Sequence, residues 1–254
     1  FINDPLIASR LVSVLSGFAA TIGIFLLSRL LFNERVAKLA SFLYIVLPFT
    51  LLYDRMALFD SLLTMLGIYA VLLTVKLVKE PRLDTSILSG FAIGLATITK
   101  SSGNFFLYLM PFSLLLAKPT LKLAGLATVT LVISQVIYNS LRLSPLFYII
   151  ARKNLAFIRP LSEVIKDPFL FAGSNLITLT GWIITYLGPI LFIIFIMSLI
   201  ISFAQKNPKT AYSQKSSAYL IALIFVPFFA EVIFNKVLYP RFVLFYFPYI
   251  IILI

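Results

Sequence analysis

The sequence predicts an all-α fold: a polytopic transmembrane helical bundle with about nine membrane segments in 254 residues. Three observations predict it. Apolar residues make up 61% of the chain and charged residues 12%, whereas soluble domains run at about 45–50% and about 25%. Mean hydropathy is +1.06. The apolar stretches are divided by short charged loops, as in a chain that crosses a bilayer repeatedly. This composition excludes a soluble enzyme and a disordered chain.

The segments read as 10–32, 35–52, 58–79, 86–101, 104–117, 121–141, 176–203, 217–234 and 240–254. Some fall short of the roughly 20 residues that a straight span needs. The pair 86–101 and 104–117 is interrupted at Lys100-Ser101-Ser102-Gly103, and such breaks are tolerated where backbone lines a cavity or packs within protein. The stretch 142–175 is the one sizeable loop. In it, Phe147–Ile158 mixes apolar and basic residues and fits an interfacial amphipathic helix, and Asp167-Pro168 reads as a turn before the next span. Pro240 is suited to open the last helix, with Arg241 in its first turn. Domain organisation is a single membrane unit over 1–254, without repeats, low-complexity tracts or a soluble domain. The chain starts at Phe1 and ends inside the apolar run Tyr249–Ile254, so it is read as a fragment of a longer protein.

Lys and Arg set the orientation. One side carries Arg29, Arg35 and Lys38, then Lys76, Lys79 and Arg82, then Lys118 and Lys122, then Lys206, Lys209 and Lys215. This even spread over short loops marks it as cytoplasmic. The opposite side includes Arg142, Arg152, Lys153, Arg159 and Lys166 in the long loop, and its cations call for a reason other than insertion bias. Net charge is +12, which in a membrane chain points to anionic headgroups and not to nucleic acid. The chain has no Cys and no His. That excludes disulfides, thiolate nucleophiles, zinc fingers, His-ligated haem and Ser-His-Asp triads.

Ionisable side chains at membrane depth cost about 2.5–3.5 kcal/mol each, so each asks for a role. Tyr53-Asp54-Arg55-Met56-Ala57-Leu58-Phe59-Asp60 joins two segments on the outer side. Arg55 can hold a phosphate in a bidentate manner, and Asp60 can orient it, bind a sugar hydroxyl or ligate a divalent cation. Equally, Asp60 can cap the next helix while Arg55 reaches headgroups. Lys100 stands at a helix break beside small residues and suits an oxyanion, or is simply a cation at a helix C-terminus. It is no P-loop, because the spacing is absent. Arg241 opposes the dipole of the helix it begins, which favours a ligand-facing role. Glu231 reads as structural, with Lys236 as its partner. Tyr44, Tyr53, Tyr239, Tyr246 and Tyr249 fit an interfacial belt. No cofactor is implied, and no cluster with metal-ligand spacing decides for or against a divalent cation.

Together these stretches resemble the protein O-mannosyltransferase-like glycosyltransferases, the GT-C group that includes protein mannosyltransferases and the aminoarabinose transferases of lipid A. Ala8–Gly17 looks like that family's stretch leading into the helix after its first external loop. Arg55–Asp60 looks like its R-x-x-x-x-D motif, Gly94–Lys100 like its G-L-A-x-x-T-K segment, and Pro240-Arg241-Phe242 through Phe247-Pro248 like its final helix. The resemblance implies an integral membrane, multi-pass enzyme with an extracytoplasmic site. It implies transfer of a sugar from a polyprenyl-phosphate donor, with inversion, to a protein, lipid or glycan acceptor. Asp60 then corresponds to the second acidic motif as a supporting catalytic group. Arg55, Lys100, Arg241, Asp54 and Tyr53 become substrate-binding candidates, the cations stabilising the departing lipid phosphate. The principal base of the family precedes Arg10, where only Phe1–Ser9 stand here. Asp4 lies too near the helix to serve, so the base is expected upstream.

Two other classes draw on the same residues. A transporter or flippase for an anionic or lipid-linked solute would use the charges and the segments broken near Gly103 and Gly173, although such folds carry internal repeats and midplane sites. A non-catalytic scaffold would need no acidic pair in the upstream loop.

Overall fold

The computed structural model describes residues 4–204 and 211–254, so the predicted cytoplasmic cations Lys206 and Lys209 lie outside the described residues. Among the described residues it is helical throughout, with one isolated backbone bridge. The helices are α1 (Pro5–Leu31), α2 (Glu34–Val46), α3 (Pro48–Tyr53), α4 (Asp60–Lys79), α5 (Leu83–Thr99), α6 (Asn104–Leu109), α7 (Leu121–Asn139), α8 (Tyr148–Phe157), α9 (Leu161–Lys166), α10 (Ala172–Ala204), α11 (Ala211–Phe234) and α12 (Phe247–Leu253).

Five described stretches are long and apolar enough to cross a membrane: Pro5–Leu31, Asp60–Lys79, Leu121–Leu143, Ala172–Ala204 and Gln214–Phe234. The other predicted segments are shorter or broken. Leu83–Thr99 is a shorter apolar helix. The run 35–52 divides into α2 and α3 at Pro48, where the chain turns extended at Leu47, as a residue before proline prefers. The run 104–117 is α6 followed by a 3₁₀ stretch. Pro240 opens a 3₁₀ turn, Pro240–Val243, and α12 begins only at Phe247. Gly173 falls in the first turn of α10, while the kink in that helix lies at Gly188-Pro189, Gly188 having φ 74°.

Local signals explain the ends. Asp4 caps α1, its side chain accepting from the amides of Leu6 and Ile7, as an acid at this position does. Asn33 caps α2 in the same way. Small residues let helices approach closely. A side chain added at Gly90 or Gly94 of α5 would press on Ile133 or Ile137 of α7. Interhelical hydroxyl contacts add to this, Thr74 with Ser89 at 3.2 Å and Ser86 with Thr130 at 3.1 Å.

α1 packs on α2 and α4, α5 lies between α4 and α7, and α10, α11 and α12 complete the bundle. Every residue of α12 is buried. Tyr44, Tyr246 and Tyr249 are buried as well, so these three belong to the core and not to an interfacial belt. α7 and α10 are the least buried spans, and they present Val132, Ile177, Ile190 and Phe203 outward, as lipid-facing helices do.

Contacts between helix ends define two faces. On one, Lys79 bonds Leu30 O at 2.6 Å and Ser216 bonds Leu31 O at 3.0 Å. On the other, Ser13 bonds Leu58 O at 3.2 Å and Asn175 bonds Val232 O and Asn235 O at 3.1 and 2.9 Å.

Candidate functional site

On this second face the start of α4 meets the end of α5. Asp60 is the first residue of α4, where a carboxylate complements the helix dipole, and it is 5% exposed. The residue before it, Phe59, has no side chain that can cap the helix. The Asp60 carboxylate pairs with Lys100, the residue that ends α5: Lys100 Nζ to Asp60 Oδ1 is 2.5 Å. Gly103 lies directly over the Ala96 carbonyl, with no room for a side chain, and its amide donates to Lys100 O at 2.8 Å. This tight 3₁₀ turn after Lys100 fixes where the lysine emerges.

The 3₁₀ turn of Pro240–Val243 covers the pair. Phe242 sets its ring 4.7 Å from Lys100 Nζ, a favourable cation–π geometry. Its neighbour Arg241 packs over Tyr239 at 4.9 Å, and Arg241 Nε is buried without a hydrogen-bond partner. Tyr53 stands within electrostatic reach of both Asp60 and Arg241. Asp60, Lys100, Arg241 and Tyr53 are thus brought together from segments up to 188 positions apart in the chain.

Two sequence candidates are not drawn into this group. Asp54 turns toward α1, where its carboxylate rests on Gly17, and burial pushes its pKa up to about 6. Arg55 is exposed on the turn between α3 and α4. The expected pairing of Glu231 with Lys236 is corrected. Lys236 pairs with Glu163 at 3.4 Å and not with Glu231, whose Oε2 instead accepts from the Tyr246 hydroxyl at 3.2 Å.

Sequence reasoning missed how the long loop attaches here. Asn154 of α8 accepts from Ser101, beside Lys100, at 3.0 Å. The chain then bridges to the end of α11, Arg159 N to Phe234 O at 2.7 Å and Lys236 N to Phe157 O at 2.8 Å. Arg159 is 2% exposed. Its guanidinium donates to Glu163 O and Asp167 O at 2.9 and 2.6 Å and packs over Phe171. It therefore organises the loop and is not a headgroup contact. α8 is helical as expected, with none of its residues buried. Among the described residues no group of three or more acidic side chains is arranged to hold a metal ion.

The arrangement offers a buried carboxylate, an ammonium and a guanidinium at one membrane face, roofed by aromatic rings. It can bind an anionic group and orient a hydroxyl next to it. The family model described as dolichyl-phosphate-mannose-protein mannosyltransferase matches residues 1–139. The solved structure of the Archaeoglobus fulgidus oligosaccharyltransferase, in complex with Zn and sulfate, superposes with a TM-score of 0.61 at 14% identity, over 96% of this chain and 36% of that one. ArnT from Cupriavidus metallidurans, in the apo state, gives 0.57 at 15% identity, over 96% and 44%. This chain spans less than half the length of either, and at these identities the likeness is one of fold. No curated protein matches it.

Proposed function

Since the chain belongs to the dolichyl-phosphate-mannose-protein mannosyltransferase family, we propose that it forms the membrane core of a glycosyltransferase. The enzyme takes a sugar from a polyprenyl-phosphate donor and passes it, with inversion, to an acceptor on the extracytoplasmic side. What supports this reading is the Asp60–Lys100 pair at 2.5 Å under Phe242. Lys100 and Arg241 bind the phosphate and stabilise the charge it gains as the sugar departs. Asp60 holds Lys100 in place and, through its second oxygen, orients the acceptor hydroxyl. Tyr53 borders the same group.

The test uses the whole protein in membranes with a polyprenyl-phosphate sugar. Asp60→Asn and Lys100→Ala are each expected to slow transfer by roughly 10²-fold or more. Wild-type rates in both would sink the assignment. Accumulation of an unaltered solute in vesicles would favour a transporter instead.

A further inference from the structure

The segment 144–171 runs between two spans, Leu121–Leu143 and Ala172–Ala204, which are the least buried of the bundle. The chain thus leaves lipid at one and returns to it at the other. α8 is the longest helix of this segment, and its residues divide by spacing. Ile150, Asn154 and Phe157, at i, i+4 and i+7, share one face and are half-buried. Asn154 accepts from Ser101, beside Lys100. The Phe157 ring lies 6.2 Å from that of Tyr239, over which Arg241 packs. Tyr148, Arg152 and Leu155, at the same spacing, form the opposite face. All three are exposed, Tyr148 by 62% and Leu155 by 55%, and the exposed Lys153 flanks them.

This outward face is apolar and basic at once. Its large apolar side chains continue with the exposed Leu143 and Leu146 just before α8, and a contiguous patch of this kind marks a surface that something covers. Its charge is of one sign, since Ser144–Ile158 holds Arg152 and Lys153 and no acid. Among the described residues neither cation has an ion-pair partner. Water suits the cations and not the apolar groups, and hydrocarbon does the reverse. The headgroup layer, with acyl chains on one side and phosphates on the other, suits both. The inward contacts of α8 set it level with Lys100, among the helix ends of this membrane face.

We propose that the outward face of α8 lies on the lipid surface, with Tyr148 and Leu155 among the upper acyl chains and Arg152 and Lys153 holding the phosphates of anionic lipids. A helix that touches the elements bearing Lys100 and Arg241 is thereby fastened to the bilayer. The inference concerns where α8 lies and is independent of what the site transfers.

The whole protein is placed in nanodiscs of phosphatidylcholine alone, or of an equal mixture of phosphatidylcholine and phosphatidylglycerol. Amide exchange across 148–157 is expected to be slower in the mixture by about tenfold or more, since each cation near an anionic surface contributes about fivefold. Exchange in α5 is the same in both. Arg152→Gln with Lys153→Gln removes the difference. In a second measurement, any other cysteine of the whole protein is replaced by serine and a fluorophore is attached at Leu155→Cys. Lipids carrying a nitroxide at the top of the acyl chain quench it more strongly than a fluorophore at Ile150→Cys. Equal exchange in the two kinds of disc overturns the inference. So does a label at position 155 quenched no more than one at 150, which means that water or another part of the protein covers this face. A difference that survives the double substitution overturns the assignment of the phosphates to these two cations. The comparison of discs uses the unaltered protein, so poor folding of a variant leaves the test intact.

Discussion

The Asp54 carboxylate rests directly on the backbone of Gly17, so closely that a methyl group at Gly17 would overlap Asp54 Oδ2 and the carboxyl carbon. The contact joins the middle of α1 to the turn that leads into Asp60. Glycine stands there because it has no Cβ, and the acid fills the space that Cβ would take.

Gly17→Ala must push Asp54 aside or part the two helices. Overpacking of this kind costs about 1–3 kcal/mol, read as a lowered unfolding temperature in detergent. Gly17→Ala together with Asp54→Ala clears the overlap and should recover much of the loss. An additive loss in the double variant would show that the contact is not what excludes a side chain.

Burial raises the Asp54 pKa to about 6 from an ordinary value near 3.8. Between these values the folded protein holds this proton more firmly than the unfolded chain does. Stability from this group is therefore present at low pH and is lost as pH rises from about 4 to about 6, with little further change above. Asp54→Asn should remove that part of the pH dependence. Unfolding midpoints of the two proteins across pH 4–7 check it, and parallel curves would refute the assignment.

Breaking a buried ion pair at one end leaves the other charge uncompensated, at a cost of about 3–5 kcal/mol when fully buried. Lys100 keeps some exposure, so Lys100→Met should cost somewhat less, about 2–3 kcal/mol, by stranding Asp60. Lys100→Met with Asp60→Leu should regain stability and remain without transfer activity. Melting curves and transfer assays on the same preparations separate the two effects.

Arg159 ties the long loop to itself through two carbonyls. Arg159→Ala leaves both without that donor and should raise amide exchange across 157–167, by a factor of about 10 or more for hydrogen bonds to a charged group. Exchange within α5 and α7 should stay unchanged.

The chemistry-bearing residues were legible singly because charges stand out in apolar runs: Asp60, Lys100 and Arg241 announce themselves. Their pairing was not legible, since it depends on how α4, α5 and the 240–243 turn converge. The spacing of Glu231 and Lys236 suggested a pair. However, α11 ends between them, and Lys236 leaves the helix toward Glu163. Tyr44, Tyr246 and Tyr249 looked like belt residues because they sit near segment ends, but α12 packs against α2 and buries them. The kink at Gly188-Pro189 lies in an unbroken apolar run, where periodicity gives no sign of it.

That kink divides a helix of 33 residues. At 1.5 Å per residue it would measure about 50 Å, well beyond the roughly 30 Å of hydrocarbon in a bilayer. Asn175 fastens its first half to the end of α11, while the second half leaves Gly188 at a different angle. A change in bilayer thickness can thus be absorbed by swivelling the far half about Gly188, leaving the Lys100–Asp60 pair at the other end of the bundle undisturbed.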